Sequence, residues 1–363
     1  MNEIVLYGFG GLGEKFFNYI SNKNFKVVSI LDKGKVGQFY SHIKVTNPEA
    51  IIIKNNPVFI TILNEYVNIY EVKKYLLELG FEEVYTIFEA IQKFELYDFE
   101  HLFLKHPITL KESLDKDTIA KVTSLLSDEQ SKKIFEAIVN FRETFDYKLI
   151  NDFYDDNMYL PDLIMAEIIK RKTINVLDLG ACHGDLIDIF SNKNLKIDNY
   201  YAFEPDSSNL LKLRNKIIDN DINGCVFPMG VGNFDGLIGF NSGAGTGCNI
   251  DENSENKIMV SKVDSTIMSK IDFIKMDIEG FENEALEGMQ NLLFRNKPIL
   301  AISIYHKPLD FINIPLSLSR KNIDNFLSEC TENLDSMLSY MQYEKFYIRY
   351  HGNYGFELVL YVF

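Results

Sequence analysis

The chain has 363 residues, of which 46% are hydrophobic and 25% are charged, and its formal net charge is −15. Because this length exceeds that of one ordinary compact domain, we expect two or three folded units. The negative charge argues against a general affinity for nucleic acids, since binding to their phosphates depends on Lys and Arg side chains. No apolar run approaches the roughly 20 residues of a membrane span, and the first residues do not resemble a signal peptide, so a cytoplasmic protein is expected.

The predicted elements begin with a strand over residues 3–7, a glycine-rich turn and an amphipathic helix. The turn carries the spacing G-x-G-x-x-G at Gly8, Gly10 and Gly13, and Asp32 follows Gly13 by 19 residues at the end of the second apolar run. These positions meet the contextual requirements of a dinucleotide fingerprint. The sequence therefore predicts a nucleotide-binding loop near the start of the chain.

Further strands are predicted around a helix over residues 70–80; they cover residues 26–31, 51–54, 58–63 and 83–87. This alternation predicts a small Rossmann-like α/β domain over residues 1–91. The stretches DKGKVGQFYSHIKVTNPEAI and LLELGFEEVYTI resemble the small Rossmann-like domains that precede acyltransferases and other enzymes acting on nucleotide-linked sugars. The resemblance implies binding of a nucleotide-linked sugar; a structural or dimerising role and binding of NAD are the alternatives.

Residues 92–170 show no strand pattern, and segments such as SKKIFEAIVNFR repeat apolar residues at helical spacing, which predicts a helical region. From residue 171 to residue 363 the α/β pattern returns with seven predicted strands, of which the last two should pair as an antiparallel hairpin around HGNYG. A parallel sheet that ends in such a hairpin is the layout of class I methyltransferases. The predicted fold is therefore α/β, with this seven-strand sheet in a domain over residues 171–363.

The first strand of this carboxyl-terminal domain leads into D-x-G-x-x-x-G at Asp178, Gly180 and Gly184. Glycines at the carboxyl end of a strand let the backbone approach a ligand closely. The next strand ends at Glu204, whose carboxylate can accept both hydroxyl hydrogens of an adenosine ribose. The motif predicts a nucleoside cofactor; a dinucleotide and a glycine turn that only packs are the alternatives. The predicted cofactor site also includes Tyr159, Cys182, Pro205, Gly230 and Asp277.

The segment from near residue 125 to the end resembles the FkbM family of S-adenosylmethionine-dependent methyltransferases. The resemblance rests on seven stretches in the order of the family: SDEQSKKIFEAIVNFR, DDNMYLPDLI, VLDLGACHGD, AFEPD, IDFIKMDIEGFENEALEGM, AISIYHKPLD and YIRYHGNYGFELVLYVF. It implies S-adenosylmethionine as the cofactor and O-methylation as the reaction, often of sugars or glycoconjugates.

Methyl transfer to a hydroxyl group requires positioning and either a base or a metal ion. Asp277 and Glu279 follow one predicted strand, and Tyr305 and His306 follow the next, so these side chains should meet near the glycine loop. We expect Asp277, Glu279 and His306 to be catalytic, with His306 as the general base. The alternatives are a Mg²⁺ or Mn²⁺ site built from the same three residues, and a structural role of His306.

Three polar residues near these strands have a second interpretation. Asp277 could cap the helix FENEALEGM, where a carboxylate meets free backbone N–H groups. Arg349 and His351, beside the predicted hairpin, either line the acceptor pocket or are solvated.

The leading hypothesis is an S-adenosylmethionine-dependent O-methyltransferase that acts on a sugar hydroxyl, in a nucleotide-linked sugar or in a surface glycan such as capsule or lipopolysaccharide. The fourth strand of the domain is followed by DIEG, whereas enzymes that methylate amide or base nitrogens commonly carry Asn-Pro-Pro-Tyr there. One alternative is an O-methyltransferase of a small metabolite or lipid, and another is a non-catalytic nucleotide-binding scaffold. We expect no nucleic-acid partner and no membrane span; a homo-oligomer is compatible with the sequence.

Overall fold

A computed structural model describes residues 2–63, 67–99, 115–144, 146, 148–241, 249–250, 254–319, 343–352 and 354–363. The chain separates into two compact units. The first consists of Met1–Glu112 and Asn140–Tyr147, and the second of Ser113–Val139 and Lys148–Phe363. The division into three regions, with boundaries after residues 91 and 170, stays a prediction. Among the helices of the described ranges, none combines the length and the apolar character needed to cross a membrane.

The first unit contains a six-stranded sheet. Its described elements are β1 (Asn2–Tyr7), α1 (Gly11–Ser21), β2 (Phe25–Leu31), β3 (Phe39–Tyr40), β4 (Ile43–Thr46), β5 (Val58–Ile60), α2 (Ile69–Glu78), β6 (Val84–Thr86) and α3 (Ile87–Lys93). The strands lie in the order β3-β4-β2-β1-β5-β6, and all neighbours are parallel except β3 and β4. The last four residues of β1 are buried, as expected for an inner parallel strand that is covered on both faces.

The prediction of a strand over residues 51–54 is wrong. These residues follow a 3₁₀ turn at Pro48–Ala50, they are not in a strand, and Ile52 is 95% exposed. A β-branched run forms a strand only where it can pair and pack against neighbours, and β1 already pairs with β2 and β5 on its two sides. The short strands β3 and β4 form the edge of the sheet instead, although their sequences carry no comparable apolar run.

The described residues between 115 and 168 are mainly helical, as their apolar spacing predicts. The helices are α4 (Lys116–Leu125), α5 (Glu129–Thr144), α6 (Lys148–Asn151) and α7 (Asp162–Ile168). On α5, Ile134 and Ile138 are one helical turn apart, and both are buried. The apolar side of this helix therefore contributes to the core.

The second unit contains the predicted seven-strand sheet. Its further elements are β7 (Asn175–Leu179), α8 (Asp185–Asn192), β8 (Asn199–Phe203), α9 (Ser207–Asp219), β9 (Gly224–Phe227), β10 (Gly230–Val231), β11 (Gly236–Asn241), β12 (Asn249–Ile250), β13 (Lys257–Ser261), α10 (Val263–Thr266), β14 (Phe273–Met276), α11 (Glu282–Glu287), α12 (Gln290–Asn296), β15 (Ile299–Ser303), α13 (Asp310–Ser317), β16 (Phe346–Tyr350) and β17 (Leu358–Val362). The order of the sheet is β16-β17-β15-β14-β7-β8-β9.

Strands β9, β8, β7, β14 and β15 run parallel, whereas β17 is antiparallel to both β15 and β16. This arrangement confirms the predicted α/β fold with a terminal antiparallel hairpin. Asn353, in the predicted turn HGNYG, lies outside the described residues.

Four parallel strands end at the same edge of this sheet. Leu179 at the end of β7 pairs with Phe203 of β8 and with Met276 of β14, and Met276 pairs with Ile302 of β15. The segments that follow these strands therefore leave the sheet side by side. This edge carries most of the predicted site residues.

A second, four-stranded sheet in this unit was not expected from the sequence. Its order is β10-β13-β11-β12, with β10 parallel to β13 and the other neighbours antiparallel. β10 and β12 are only two residues long. β11 and β13 have six and five residues but are partly exposed, so they lack the continuous apolar run of a strand that is buried on both faces.

Candidate active site at the carboxyl edge of the seven-strand sheet

The loop that leaves β7 depends on glycine at two positions. Gly180 has a φ of +77°, and a Cβ atom there would lie 1.9 Å from the carbonyl oxygen of Asp277. Gly184 has a φ of +81° at the N-cap of α8. Side chains are strained in this left-handed region of backbone space. The two glycines therefore let the loop turn tightly and pass next to the segment that follows β14.

Glu204, directly after β8, is buried and ties this loop to the start of α9. The backbone N–H of Cys182 donates to Oε2 of Glu204 at 2.8 Å. The backbone N–H of Asp206 and the side-chain amide of Asn209 donate to Oε1 at 2.8 and 3.2 Å. Burial raises the pKa of Glu204, and these donors oppose the shift. Within the described part of the chain, Oε2 accepts one hydrogen bond, so a second lone pair is available for a ligand hydroxyl.

Asp178, the fourth residue of β7, is only 1% exposed and is bound by two neighbouring side chains. The Tyr200 hydroxyl donates to Oδ2 of Asp178, and Nζ of Lys275 lies 3.3 Å from Oδ1. Lys275 also donates to the carbonyl oxygen of Gly180 at 2.6 Å. Burial opposes the charge of Lys275, but neighbouring carboxylates, Asp178 first, outweigh it and raise the pKa of this lysine. Asp178 thus orients Lys275, which holds the loop.

His306, three residues after β15, is surrounded by three carboxylates. Its Nδ1 donates to Oε1 of Glu282 at 2.8 Å. Its Nε2 lies 3.2 Å from Oδ1 of Asp277 and 3.8 Å from Oε2 of Glu279. Burial alone would lower the pKa of His306, but the carboxylates of Glu282 and Asp277 raise it well above its usual value. The ring is therefore an imidazolium at neutral pH.

Asp277 is held from two sides. The Tyr159 hydroxyl donates to its Oδ2 at 2.8 Å, and burial is outweighed by His306 and Lys275, which lower the pKa of Asp277. The predicted capping role of Asp277 is wrong. The N-cap residue of α11 is Phe281, and among the described residues no side chain caps this helix. The reason is that the carboxylate of Asp277 is directed at Tyr159 and His306 instead.

Glu279 differs from its neighbours because its side chain is 30% exposed. Burial is the main reason why its pKa is raised to about 7; His306 opposes the shift, and the charges of Asp277 and Glu282 add to it. Glu279 also has a φ of +56°, a conformation that costs a non-glycine residue on the order of 1–3 kcal/mol. A carboxyl group with this pKa can accept a proton near neutral pH.

The residues fit a protonated histidine better than a metal ion. Asp277, Glu282 and His306 each offer a ligand atom, and these atoms lie within 4.8 Å of one another, so Glu282 takes the place of Glu279 in the predicted trio. However, both ring nitrogens of His306 face carboxylates, and the ring is cationic. A metal ion bound through a ring nitrogen of His306 would have to displace a proton that Glu282 and Asp277 stabilise.

Arg349 and His351 are both buried, so the expectation that they are solvated is wrong. Arg349 forms an ion pair with Asp128, with 2.6 Å between Nη2 and Oδ2. His351 is hydrogen-bonded through Nδ1 to the carbonyl oxygen of Asp155 at 2.7 Å. Both side chains are used in packing the hairpin against preceding segments, which leaves them poorly placed to line a pocket.

The remaining predicted cofactor residues surround the loop and the neighbouring strand ends. Cys182 has a φ of +46° within the glycine loop, Pro205 directly follows Glu204, and Gly230 lies in β10 of the small sheet. The sequence did not point to Glu282. An acidic residue at the start of α11 looks like an ordinary helix-terminus carboxylate, and its only signal is its place in DIEGFE, three residues after Glu279.

The glycine loop of the first unit has the predicted geometry of a tight turn. Gly8 has a φ of +90°, and a Cβ atom on Gly13 would lie 2.4 Å from the carbonyl oxygen of Gly8. Asp32, after β2, accepts a hydrogen bond from the backbone N–H of Phe9 at 2.7 Å. A Cβ atom on Gly10 would meet nothing within 4 Å. A hydrogen bond thus links the loop to Asp32, while the space beside Gly10 is not filled by other atoms of the described residues.

Known proteins are similar to this chain in the sequence of the second unit and in the fold. Residues 178–348 match the family model of the methyltransferase FkbM domain. The structure is similar to the crystal structure of methyltransferase FkbM from Methylobacillus flagellatus KT, with a TM-score of 0.76 and 19% sequence identity over 100% of this chain and 90% of that chain. No curated protein sequence matches the chain.

Two further solved structures are similar at a lower level. An rRNA methylase from Streptococcus thermophilus has a TM-score of 0.30 and 14% identity, over 56% of this chain and 96% of that chain. Aeropyrum pernix fibrillarin in complex with natively bound S-adenosyl-L-methionine has a TM-score of 0.31 and 9% identity, over 53% of this chain and 67% of that chain. The family match covers the strand ends described above, and residues 178–348 are therefore identified as an FkbM methyltransferase domain.

Proposed function

We propose that this chain is an S-adenosylmethionine-dependent O-methyltransferase that acts on a sugar hydroxyl of a nucleotide-linked sugar or a surface glycan such as capsule or lipopolysaccharide. One observation carries the proposal. Glu204 and the glycine loop, which suit a nucleoside, leave the same sheet edge as Glu279 and the His306 cluster, which suit proton transfer.

The cofactor would be held by the loop from Gly180 to Gly184 and by Glu204. Oε2 of Glu204 has a free lone pair for a ribose hydroxyl, and the carboxylate of Asp277 suits the ammonium group at the other end of the cofactor. When bound, S-adenosylmethionine supplies an electrophilic methyl group on a sulfonium sulfur. Tyr159, Cys182, Pro205 and Gly230 are proposed to complete this site.

Glu279 is the proposed general base, in place of His306. His306 already carries a proton that Glu282 and Asp277 stabilise, so it has no free nitrogen to accept another. Glu279 is partly exposed, and its pKa is about 7. Its carboxylate would take the proton of the acceptor hydroxyl while the hydroxyl oxygen bonds to the methyl carbon and the carbon–sulfur bond breaks. His306 would then act as a fixed positive charge that keeps Asp277 and Glu279 in place.

The carboxyl groups of this cleft support a hydroxyl-bearing acceptor. The side chains of Asp277 and Glu279 lie together there, and carboxylates are good acceptors for the hydroxyl hydrogens of a sugar. The resemblance of the first unit to domains that bind nucleotide-linked sugars supports the same class, with Gly8, Gly10, Gly13 and Asp32 as its proposed nucleotide loop. A small metabolite or a lipid hydroxyl remains the alternative acceptor.

A test uses the 363-residue chain and methyl-labelled S-adenosylmethionine. The acceptors are a panel of nucleotide-linked sugars, glycan fragments, small hydroxylated metabolites and lipids, each assayed with and without EDTA. We expect label on a sugar, and equal rates with EDTA. Label only on metabolites or lipids would contradict the acceptor class, and loss of activity in EDTA that Mg²⁺ or Mn²⁺ restores would contradict the metal-free mechanism.

The base is tested by Glu279→Gln, with Glu284→Gln as the matched control. Glu284 is also 30% exposed, lies on α11 and pairs with Lys307 rather than with His306. Glu279→Gln should lower kcat by about 100-fold or more, which is the usual contribution of a general base. Glu284→Gln should leave kcat unchanged. Equal rates for both variants would remove Glu279 from the mechanism.

A further inference from the structure

Tyr159 connects the His306 cluster with the terminal hairpin. It is buried, and it has a φ of +65°, which is uncommon for an aromatic residue. Its hydroxyl donates to Asp277 at 2.8 Å, and its backbone N–H donates to the hydroxyl oxygen of Tyr361 at 2.9 Å. The side chain that reaches Asp277 is therefore anchored at its backbone by a residue of β17.

The direction of every hydrogen bond behind Tyr159 can be assigned. Nδ1 of His351 lies 2.7 Å from the carbonyl oxygen of Asp155, which can only accept, so Nδ1 carries a proton. Burial lowers the pKa of His351, so the ring is neutral and Nε2 is an acceptor. The Tyr361 hydroxyl lies 2.8 Å from Nε2 and must donate to it. Its oxygen is then free to accept the N–H of Tyr159.

The Tyr361 hydroxyl, in the middle of this chain of hydrogen bonds, can donate in only one direction. If the Tyr361 hydroxyl donated elsewhere, Nε2 of His351 would be a buried acceptor without a partner, and such groups are costly. Because Tyr361 and His351 are both buried, water is poorly placed to replace either bond. The neutral Nδ1–H tautomer of His351 therefore fixes the orientation of Tyr361, and Tyr361 fixes the backbone of Tyr159.

We propose that Tyr361 and His351 are positioning residues of the methyl-transfer site, which act through Tyr159 to hold the carboxylate of Asp277 beside His306. This inference rests on the proposed function. It gives the buried His351 and the terminal hairpin a role in the reaction besides closing the sheet.

A double-mutant cycle with Tyr361→Phe and Tyr159→Phe tests the order of action. Each single variant should lower kcat about tenfold, the effect of losing one well-formed hydrogen bond. The double variant should be no slower than Tyr159→Phe alone, because Tyr361 acts through Tyr159. The dissociation constant of S-adenosylhomocysteine, measured by calorimetry, should rise by the same factor in both single variants and no further in the double variant, because both act on Asp277, the proposed partner of the cofactor's ammonium group.

Tyr347→Phe is the matched control, since Tyr347 is the cross-strand partner of Tyr361 in the hairpin and its ring stacks on that of Phe363. It should retain the kcat of the unmodified protein. Multiplicative effects of Tyr361→Phe and Tyr159→Phe, or an unchanged kcat in Tyr361→Phe, would overturn the proposal.

A spectroscopic measurement separates failure of this proposal from failure of the proposed function. The chain has six histidines, and ¹⁵N spectra of histidine-labelled protein report each ring's tautomer; the signal of His351 is the one lost in His351→Asn. We expect an Nδ1–H neutral ring in the unmodified protein and a shifted Nε2 signal in Tyr361→Phe. An Nε2–H or doubly protonated His351 would overturn the proposal whether or not any acceptor is methylated.

Discussion

Nδ1 of His306 lies 2.8 Å from Oε1 of Glu282, a carboxylate that is only 1% exposed. Oε1 of Glu282 also accepts the backbone N–H groups of Ile278 and Gly280, at 3.1 and 3.4 Å. One buried carboxylate thus fixes both the imidazolium and the turn on which Asp277 and Glu279 lie. This relationship is the structural basis for assigning His306 a positive charge.

Replacing Glu282 should destabilise the protein in a pH-dependent way. Glu282→Met leaves a buried cation without its main partner, which typically costs about 3–5 kcal/mol of the free energy of unfolding. Because the folded pKa of His306 is raised, the stabilisation by this pair is complete below the unfolded pKa of about 6.5 and is lost as the pH rises through the folded value. The difference between the two proteins in urea unfolding should therefore be largest near pH 6 and decrease at alkaline pH. A difference that does not depend on pH would contradict the charged pair.

The rate of methyl transfer should rise with pH through the pKa of Glu279. A base must be deprotonated to act, so with a pKa of about 7 the value of kcat should increase from acidic to mildly alkaline pH with a midpoint near 7. His306→Gln removes a positive charge that lowers this pKa, so the midpoint should move to higher pH. The measurement is the pH profile of kcat for both proteins. A profile that is flat across neutral pH, or a shift to lower pH in the variant, would contradict the assignment.

Lys275→Met should destabilise the second unit by about 3–5 kcal/mol, because it leaves the buried Asp178 carboxylate without its cation. Adding Asp178→Asn to Lys275→Met should recover part of the loss, since the uncompensated charge is then absent. Denaturant unfolding of the two single variants and the double variant measures both effects. Equal stability of Lys275→Met and the unmodified protein would show that the pair does not hold the loop.

Gly180→Ala should be strongly destabilising, whereas Gly11→Ala should not. At Gly180 a methyl group would lie 1.9 Å from a backbone oxygen, and φ is +77°, so about 2 kcal/mol or more should be lost. At Gly11, in the first turn of α1, a methyl group meets nothing within 4 Å, and alanine should be neutral or stabilise by up to about 1 kcal/mol. Thermal unfolding distinguishes the two, and a comparable loss in both variants would contradict the described close approach.

The seven-strand sheet was predictable because its strands are short apolar runs that are buried on both faces and lead into recognisable turns. The errors lie in segments whose sequence pattern does not agree with the strand pairing of the fold. Residues 51–54 have strong β-propensity but no partner strand, and the two-residue strand β3 has a partner but no pattern. The small sheet was missed because two of its strands have two residues each and the other two, β11 and β13, are partly exposed.

The sequence predicted those site residues that directly follow neighbouring parallel strands. Asp277, Glu279 and His306 come together because β14 and β15 are parallel neighbours. The protonation state of His306 was not predictable. It depends on Glu282, which lies on a short helix and whose carboxylate is hydrogen-bonded to Nδ1 of His306. The bond from Tyr159 to Tyr361 joins residues 202 positions apart, and no local pattern indicates such a contact.

Calorimetric titration with S-adenosylhomocysteine tests the location of the cofactor site most directly, because the chain contains two glycine loops, each joined to an acidic residue at a strand end. Glu204→Gln and Asp32→Asn are matched variants, since each carboxylate accepts a backbone N–H of its loop. We predict that the unmodified protein binds, that Glu204→Gln weakens binding at least about tenfold through the loss of a charge-assisted hydrogen bond, and that Asp32→Asn leaves it unchanged. Absence of binding, or a loss of binding in Asp32→Asn with none in Glu204→Gln, would show that Glu204 does not hold the cofactor.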